Sequence, residues 1–261
     1  MRLTSYAISA PGLHRPENQD NLYINGCYRQ NPSDNSPFRC EDIAVKRGFY
    51  AVADGMGGEA YGALAALVAV QALSGVNMSG GHQGMVRYLI ERNAVICNMI
   101  MMNDGARIGS TFVGLNIIGD CVELTNIGDS RAYLLRDGKL EQLSRDHTPT
   151  WQMKELGIIT EEAARNHPHR NRLTQHLGVF PAEMVIEPYT ASLDLKAGDI
   201  FLLCSDGLTD MLDDASIKMT LDSSGSIGSK AESLFGAAIK SGGKDNITII
   251  LVQVRRKGIK R

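Results

Sequence analysis

Four aspartates in this 261-residue chain stand at the ends of apolar runs: FYAVADG delivers Asp54, FLLCSDG delivers Asp206, Asp20 precedes NLYIN, and Asp245 precedes NITIILVQV. In an antiparallel sheet one strand's end lies beside its neighbour's start, so this placement can gather all four at one edge. Taken singly, each has a structural reading, because Asp caps turns and Asp-Gly is a favoured turn pair. The glycines after Asp54 shift the balance. Gly55, Gly57 and Gly58 remove side chains from three of four consecutive positions, which lets backbone carbonyls approach a ligand closely. Clustered carboxylates repel one another unless a cation or a proton sits among them. Oxygen ligands without Cys or well-spaced His point to Mn²⁺ or Mg²⁺ and away from zinc. An EF-hand is excluded because Leu22 and Ile24 follow Asp20 where ligands would be needed, and no P-loop or G-x-S-x-G elbow is present. Arg15 precedes Asp20 by five residues. A guanidinium can hold two phosphate oxygens at once, and two metal ions with an arginine are the apparatus of phosphoester hydrolysis.

The elements that must position these groups follow from periodicity. LTSYAISA and NLYIN read as strands, while residues 25–47, with Pro32, Asp34, Asn35, Ser36 and Pro37, read as a long loop or insertion. GFYAVA reads as a strand buried on both faces, and ALAALVAVQAL as a helix packed inside. GVNMSGGHQG breaks that helix, and MVRYLIERNAVICNMIMM forms a second one, with Arg87 and Glu91 spaced for an i,i+4 pair. From residue 110 the β-branched runs are punctuated by Gly119-Asp120, Gly128-Asp129 and Asp137-Gly138, which predicts an antiparallel meander with a hairpin at the last pair. Residues 147–180 read as polar and helical, with Thr160 as an N-cap. DIFLLCS is a strand, helices cover 207–221 and 229–240, and NITIILVQV is the last strand. Antiparallel strands with segregated helices predict an α+β fold, and with no repeat or linker in view residues 1–261 are expected to form one domain.

Composition narrows the function classes. A net charge of −2 gives no global case for nucleic acid or membrane binding, and the locally basic residues 255–261 read as a solvated, frayed terminus. The N-terminal stretch lacks a signal-peptide run, and no apolar segment reaches the length of a membrane span. The five cysteines include no CxxC pair, and at least three lie in runs that read as core. Neither a disulfide framework nor a zinc site is expected, and the chain reads as cytoplasmic.

With these residues the chain resembles the metal-dependent protein Ser/Thr phosphatases of type 2C, the PPM family, in their compact bacterial form. The matching motifs run in order: RPENQD (15–20), VADGMGG (52–58), GST (109–111), NIGDSRAYLLRDGKL (126–140), SRDHT (144–148), CSDGL (204–208) and GGKDNIT (242–248). The resemblance implies a four-layer αββα sandwich of two antiparallel sheets flanked by helices. It implies a centre of two Mn²⁺ or Mg²⁺ ions, with Asp54 bridging them and the Gly55 carbonyl on one. Asp206 and Asp245 would complete the other, and Asp20 would act nearby, largely through metal-bound water. Arg15 would hold the substrate phosphate. Asp129 matches a position that, with Asp206, binds a third metal in bacterial members.

The implied reaction is hydrolysis of phosphoserine or phosphothreonine by direct attack of a metal-bridging hydroxide, without a covalent intermediate. Cys204 sits in a buried strand and lacks the Cys-x₅-Arg loop of thiolate phosphatases. Two departures are visible. Met56 stands where some eukaryotic members have a His that can protonate the leaving group, and Gln19 stands where others have Glu. Residues 148–180, carrying Trp151, Glu155, Glu161, Glu162, Arg165, His167, His169 and Arg170, correspond to the family's flap and are assigned to substrate recognition. His147 is assigned to turn capping or packing, and the His167/His169 pair to a solvated loop. Phosphorylated proteins are the implied substrates and a Ser/Thr protein kinase the functional counterpart, with the chain acting as a monomer. Two rivals stand beside this reading. A pseudophosphatase would bind a phosphorylated partner without turnover, but it is expected to have lost metal aspartates. A two-metal hydrolase of small phosphate esters would be expected to show a Gly-rich loop opening a helix.

Overall fold

The computed structural model describes residues 1–76 and 81–256. Its first half contains β1 (Arg2–Ala10), β2 (Asp20–Ile24), β3 (Cys27–Tyr28), β4 (Phe38–Val45), β5 (Arg47–Met56), α1 (Gly58–Gln71), α2 (Gly81–Met102), β6 (Gly109–Ser110), β7 (Phe112–Ile118) and β8 (Cys121–Ile127). There follow β9 (Arg131–Arg136), β10 (Lys139–Gln142), α3 (Pro149–Glu155), α4 (Glu161–Arg165), β11 (Tyr189–Asp194), β12 (Ile200–Cys204), α5 (Asp206–Thr209), α6 (Asp214–Asp222), α7 (Ile227–Lys240) and β13 (Ile247–Arg255).

Successive side chains of a strand point to opposite faces, and here both faces are covered. Along β13, Ile250, Val252 and Val254 join Leu3, Ala7, Tyr50, Val52, Phe201 and Leu203 in a layer between two sheets. Ile247, Ile249 and Leu251 face the other way, onto Ile217 and Leu221 of α6 and Ala231 and Leu234 of α7. On the opposite side, Phe49, Ala51 and Ala53 of β5 turn outward onto Ala65, Ala66, Ala69 and Val70 of α1, with Leu89 and Ile96 of α2 in the same layer. Strands buried on both faces read as unbroken apolar runs for this reason.

One sheet has the order β10-β9-β12-β13-β1-β4 and the other β11-β8-β7-β5-β2-β3, with β6 pairing beside β5. All pairings are antiparallel. The layers therefore run helix, sheet, sheet, helix, as the α+β reading expects. The hairpin at Asp137-Gly138 joins β9 to β10, with both residues at positive φ (51° and 70°). Arg87 and Glu91 pair at 3.5 Å.

Several expectations are corrected. Residues 25–47 are not an irregular loop: they include β3 and the eight-residue strand β4, which pairs with β1 along its length. Their periodicity is weak because both are edge strands, and β4 alternates only between half-buried and exposed positions. Cys27 and Cys40 form a disulfide between these two edges, a juxtaposition that depends on tertiary structure and leaves no mark in sequence spacing. Cys97 and Cys204 are buried as expected, but Cys121 is exposed at the start of β8. Within 147–180 only α3 and α4 are helical, and Thr160 does cap α4 by accepting from the Ala163 amide. The break after α1 falls partly on residues 77–80 and the basic terminus largely on 257–261, both outside the described residues.

A further correction concerns the glycines after Asp54. They do open a helix: Gly57 takes φ 137° as the N-cap of α1, which starts at Gly58. A Cβ on Gly55 would lie 1.9 Å from the Gly62 carbonyl oxygen, so close packing of α1 on β5 already demands glycine there.

Candidate active site

Register brings the first two aspartates together. Asp20 and Asp54 are direct partners across the β2–β5 ladder. The GST turn holds Asp54 by its backbone: the Asp54 amide donates to Thr111 Oγ1 at 3.0 Å, and the Asp54 carbonyl accepts from the Thr111 amide at 2.8 Å and from Ser110 Oγ at 3.1 Å. Asp206 opens α5 one residue beyond Ser205, whose amide donates across to the Thr248 carbonyl of β13 at 3.1 Å. Asp245 lies two residues before β13. Asp206 and Asp245 thus flank adjacent ends of the paired strands β12 and β13, as the strand-end argument requires.

Asp20 is fully buried. Its Oδ2 accepts from Ser205 Oγ at 2.6 Å, while Oδ1 is buried with no hydrogen-bond partner among the described residues. The Arg29 guanidinium donates to the backbone carbonyls of Asn18, Asp20 and Asp34, which ties the segment after β3 to the strand carrying Asp20. Asn246 gathers the loop that bears Arg15. Its Nδ2 donates to the carbonyls of Pro11 and Glu17, and its Oδ1 accepts from the Gln19 amide. Ser205, Asn246 and Arg29 were not singled out in the sequence. The first two lie inside recognisable motifs, but Arg29 had no local signal.

The carboxylates share one electrostatic field. Burial and then the charges of Asp20, Asp206, Asp129 and Asp245 push the Asp54 carboxyl well above its ordinary range. Burial followed by Asp129, Asp210, Asp245 and Asp20 does the same to Asp206. Asp20 is pushed up to about 6, mainly by burial and against a hydrogen bond from Ser205. Asp129 is pushed up to about 7 by burial and by Asp146, with Arg131 opposing. Each of these acids is harder to ionise in the folded chain than in the unfolded one, where Asp titrates near about 3.9. The folded state then binds more protons, so stability falls as pH rises. The penalty is absent below about pH 4. For Asp20 and Asp129 it grows through the interval up to about 6 and about 7, and for Asp54 and Asp206, raised further, it adds to the fall in the same direction. In chelator, the melting temperature is accordingly expected to be lower at pH 8 than at pH 5, and Asp129→Asn should flatten that slope. A melting temperature independent of pH over this range would contradict the coupling.

Arg15 sits at the rim, 56% exposed, and its Nη2 donates to Asp245 Oδ2 at 2.7 Å. Asp245, and more weakly Asp206 and Asp54, hold its guanidinium in the charged form. Beside Asp129 lies a pair that sequence reasoning missed: Arg131 donates Nε and Nη2 to the Asp146 carboxylate at 2.6–3.1 Å. A cavity of about 310 Å³ runs from Asp129 and Asp206 to the segment carrying α3 and α4. That segment is fastened over α5 by Arg165, which donates to the Thr209 and Leu212 carbonyls, and by Arg170 and Asn171, which donate to Asp210. Lys154 lies 3.8 Å from the Trp151 ring centroid and pairs with Glu161 at 2.9 Å.

His147 packs as expected, its Nδ1 against the Gly128 amide at 3.1 Å, and burial lowers its basicity. His167 and His169 are held by the His169 amide donating to His167 Nδ1. Cys204 is buried and its thiol is pushed far up by desolvation, which fits no nucleophilic role.

Among the described residues, no three His, Cys, Asp or Glu side chains are gathered into a ready coordination shell. The carboxylates instead ring the cleft, and Asp245 is engaged by Arg15. The donor set nevertheless fits a hard divalent cation. It is all oxygen, its members raise one another's proton affinity, and Asp20 Oδ1 is buried without a partner among the described residues.

Comparison with known proteins gives a consistent result. The family model described as protein phosphatase 2C matches residues 19–247. The chain is 34% identical over 211 residues to the serine/threonine protein phosphatase PstP of Mycobacterium tuberculosis, covering 78% of this chain and 40% of that protein. It is 33% identical over 213 residues to the serine/threonine phosphatase stp of Listeria innocua, covering 77% of this chain and 82% of that protein. Among solved structures, the catalytic domain of PstP in complex with two manganese ions superposes with a TM-score of 0.78 at 29% identity, covering 98% of this chain and 100% of that one. The chain thus spans less than half the length of the mycobacterial protein.

Proposed function

The chain belongs to the protein phosphatase 2C family, and from that membership we propose that it is a metal-dependent protein serine/threonine phosphatase acting on phosphoserine and phosphothreonine. The observation that carries this reading is the gathering of carboxylates at one sandwich edge, Asp20 opposite Asp54 and Asp129 and Asp206 lining the same cavity as Asp54, with Arg15 on Asp245 at the rim. Asp54, the Gly55 carbonyl, Asp206 and Asp245 would hold two Mn²⁺ or Mg²⁺ ions, with Asp20 beside them; Asp129 and Asp206 would hold a third. Bound there, the ions would acidify an attacking water and offset charge on the phosphoryl oxygens.

The chain's own groups do the rest. Ser110 and Thr111 fix the Asp54 backbone, and Ser205 fixes Asp20. Arg15 is exposed enough for its guanidinium to turn from Asp245 to two phosphoryl oxygens, orienting phosphorus for in-line attack. Residues 148–180 form a flap that recognises the protein around the phosphorylated residue. Residues 1–261 act as a single catalytic domain and as a monomer, in signalling opposite a Ser/Thr kinase. No helix among the described residues is long and apolar enough to cross a membrane.

The test is hydrolysis of a phosphothreonine peptide with Mn²⁺, with Mg²⁺ and with chelator. Turnover is expected only with metal. Arg15→Ala is expected to raise KM by about tenfold or more, because a charge-assisted contact to phosphate is lost. Metal-independent turnover would sink the reading. Tight phosphopeptide binding with metal but no hydrolysis would make the chain a pseudophosphatase.

A further inference from the structure

Cleavage of a phosphoserine or phosphothreonine ester expels an alkoxide, a poor leaving group unless a proton reaches its oxygen as the P–O bond breaks. The cleft beside Asp54 contains a group placed to give that proton. A cavity of about 290 Å³ is bounded by Asp54, Asp129 and Asp206 together with His176 and Met56. The three carboxylates are assigned above to metal binding. The remaining lining groups are a thioether, a hydroxyl, an amide and a hydrocarbon, none of which releases a proton near neutral pH. His147 is excluded because it packs on Gly128 and lines a different cavity, with Trp151 and Tyr189.

The imidazole of His176 is held by the same turn that holds Asp54. Its Nδ1 lies 2.8 Å from the Leu177 carbonyl and donates to it. Leu177 is in turn paired with Ser110 through both backbone bonds, at 3.1 and 2.8 Å. With Nδ1–H committed to that carbonyl, the exchangeable proton is the one on Nε2. Gly109 keeps this corner open: a Cβ there would stand 2.7 Å from the Leu177 carbonyl oxygen and 3.0 Å from both His176 Nδ1 and Met56 Cε. Thus Gly109 lies against the ring, Ser110 pairs with the residue whose carbonyl holds it, and Thr111 fixes Asp54, so three consecutive residues connect His176 to Asp54 on one cavity wall.

We propose that His176 is the general acid of the reaction, an inference that rests on the phosphatase reading above. As water oxygen bonds to phosphorus and the ester P–O bond breaks, the Nε2 proton passes to the departing Ser or Thr oxygen. The attacking water releases one proton to solvent, and solvent returns one to the imidazole. The products are the free hydroxyl side chain and inorganic phosphate.

The test compares a phosphothreonine peptide with p-nitrophenyl phosphate, whose phenolate departs without protonation. His176→Asn retains a donor for the Leu177 carbonyl but has no titratable proton, and His176→Ala serves as a second variant. In Mn²⁺, both variants are expected to lose about a hundredfold in kcat on the peptide, the usual scale of general-acid catalysis, and to stay within about threefold of native on p-nitrophenyl phosphate. Equal losses on both substrates, or an unchanged peptide rate, would overturn the role of His176 while leaving the phosphatase reading intact. Native protein inert on both substrates would overturn the phosphatase reading and this inference with it.

Discussion

Asp54→Asn is expected to lower turnover of a phosphothreonine peptide by at least about a hundredfold, equivalent to about 2.7 kcal/mol of barrier, while making the chelator-treated protein more stable. The two effects have opposite signs for one reason. Asp54 ionises against burial and against the charges of Asp20, Asp206, Asp129 and Asp245, so a neutral side chain of the same shape removes a repulsion that the folded state otherwise carries above about pH 4. The same substitution removes a carboxylate proposed to help hold the two cations. Melting curves with and without Mn²⁺ separate the terms: the curve in chelator should move up, and the upward shift caused by Mn²⁺ should shrink. A variant that loses activity and also melts lower in chelator would show Asp54 to be a structural residue.

The second large effect is expected at the Arg131–Asp146 pair. Both side chains are largely buried, at 18% and 7% exposure, and Asp146 also accepts from Gln142 Nε2 at 2.8 Å. Truncating Asp146 to Ala removes the carboxylate that Arg131 grips through Nε and Nη2 and leaves a largely buried guanidinium that keeps its hydrogen bond to the Tyr133 hydroxyl at 3.0 Å. Loss of one partner of a buried pair costs about 3–5 kcal/mol. Chemical denaturation should show that loss for Asp146→Ala and a smaller one for the double variant Asp146→Ala/Arg131→Met, since the second change removes the stranded charge. If the double variant is as unstable as the sum of both single variants, the two residues are not coupled.

Arg131 and Asp146 also show what local sequence reading leaves out. Both lie inside the motifs GDSR and SRDHT, yet nothing in either says that the two motifs touch. Arg29 is a stronger case. It lies in a stretch that reads as irregular, but it is buried and braces the backbone of Asp20. The irregularity was misleading because β4 alternates only between half-buried and exposed positions, with Ile43 and Val45 on its exposed side, so its residue types do not follow its faces. The Cys27–Cys40 disulfide went unforeseen on the same grounds, since it joins two edges belonging to different sheets. His176 lacked any motif, and its place in the cleft depends on Ser110 and Leu177 pairing across the fold.

What the sequence by itself determined was the set of strands that end or begin in aspartate, and so the identity of the acidic groups. Burial on both faces forces unbroken apolar runs, and a charged residue can stand only where such a run stops, so Asp54 and Asp206 were legible as strand-end carboxylates. The family motifs added their expected roles. Only the tertiary structure decided how these groups meet: the register that sets Asp20 opposite Asp54, the Ser205 bond that orients Asp20, and the reach of Arg15 to Asp245. The reason is physical. Periodicity records which face of an element is buried, whereas register, edge pairing and contacts between distant turns arise from long-range packing that no local window contains.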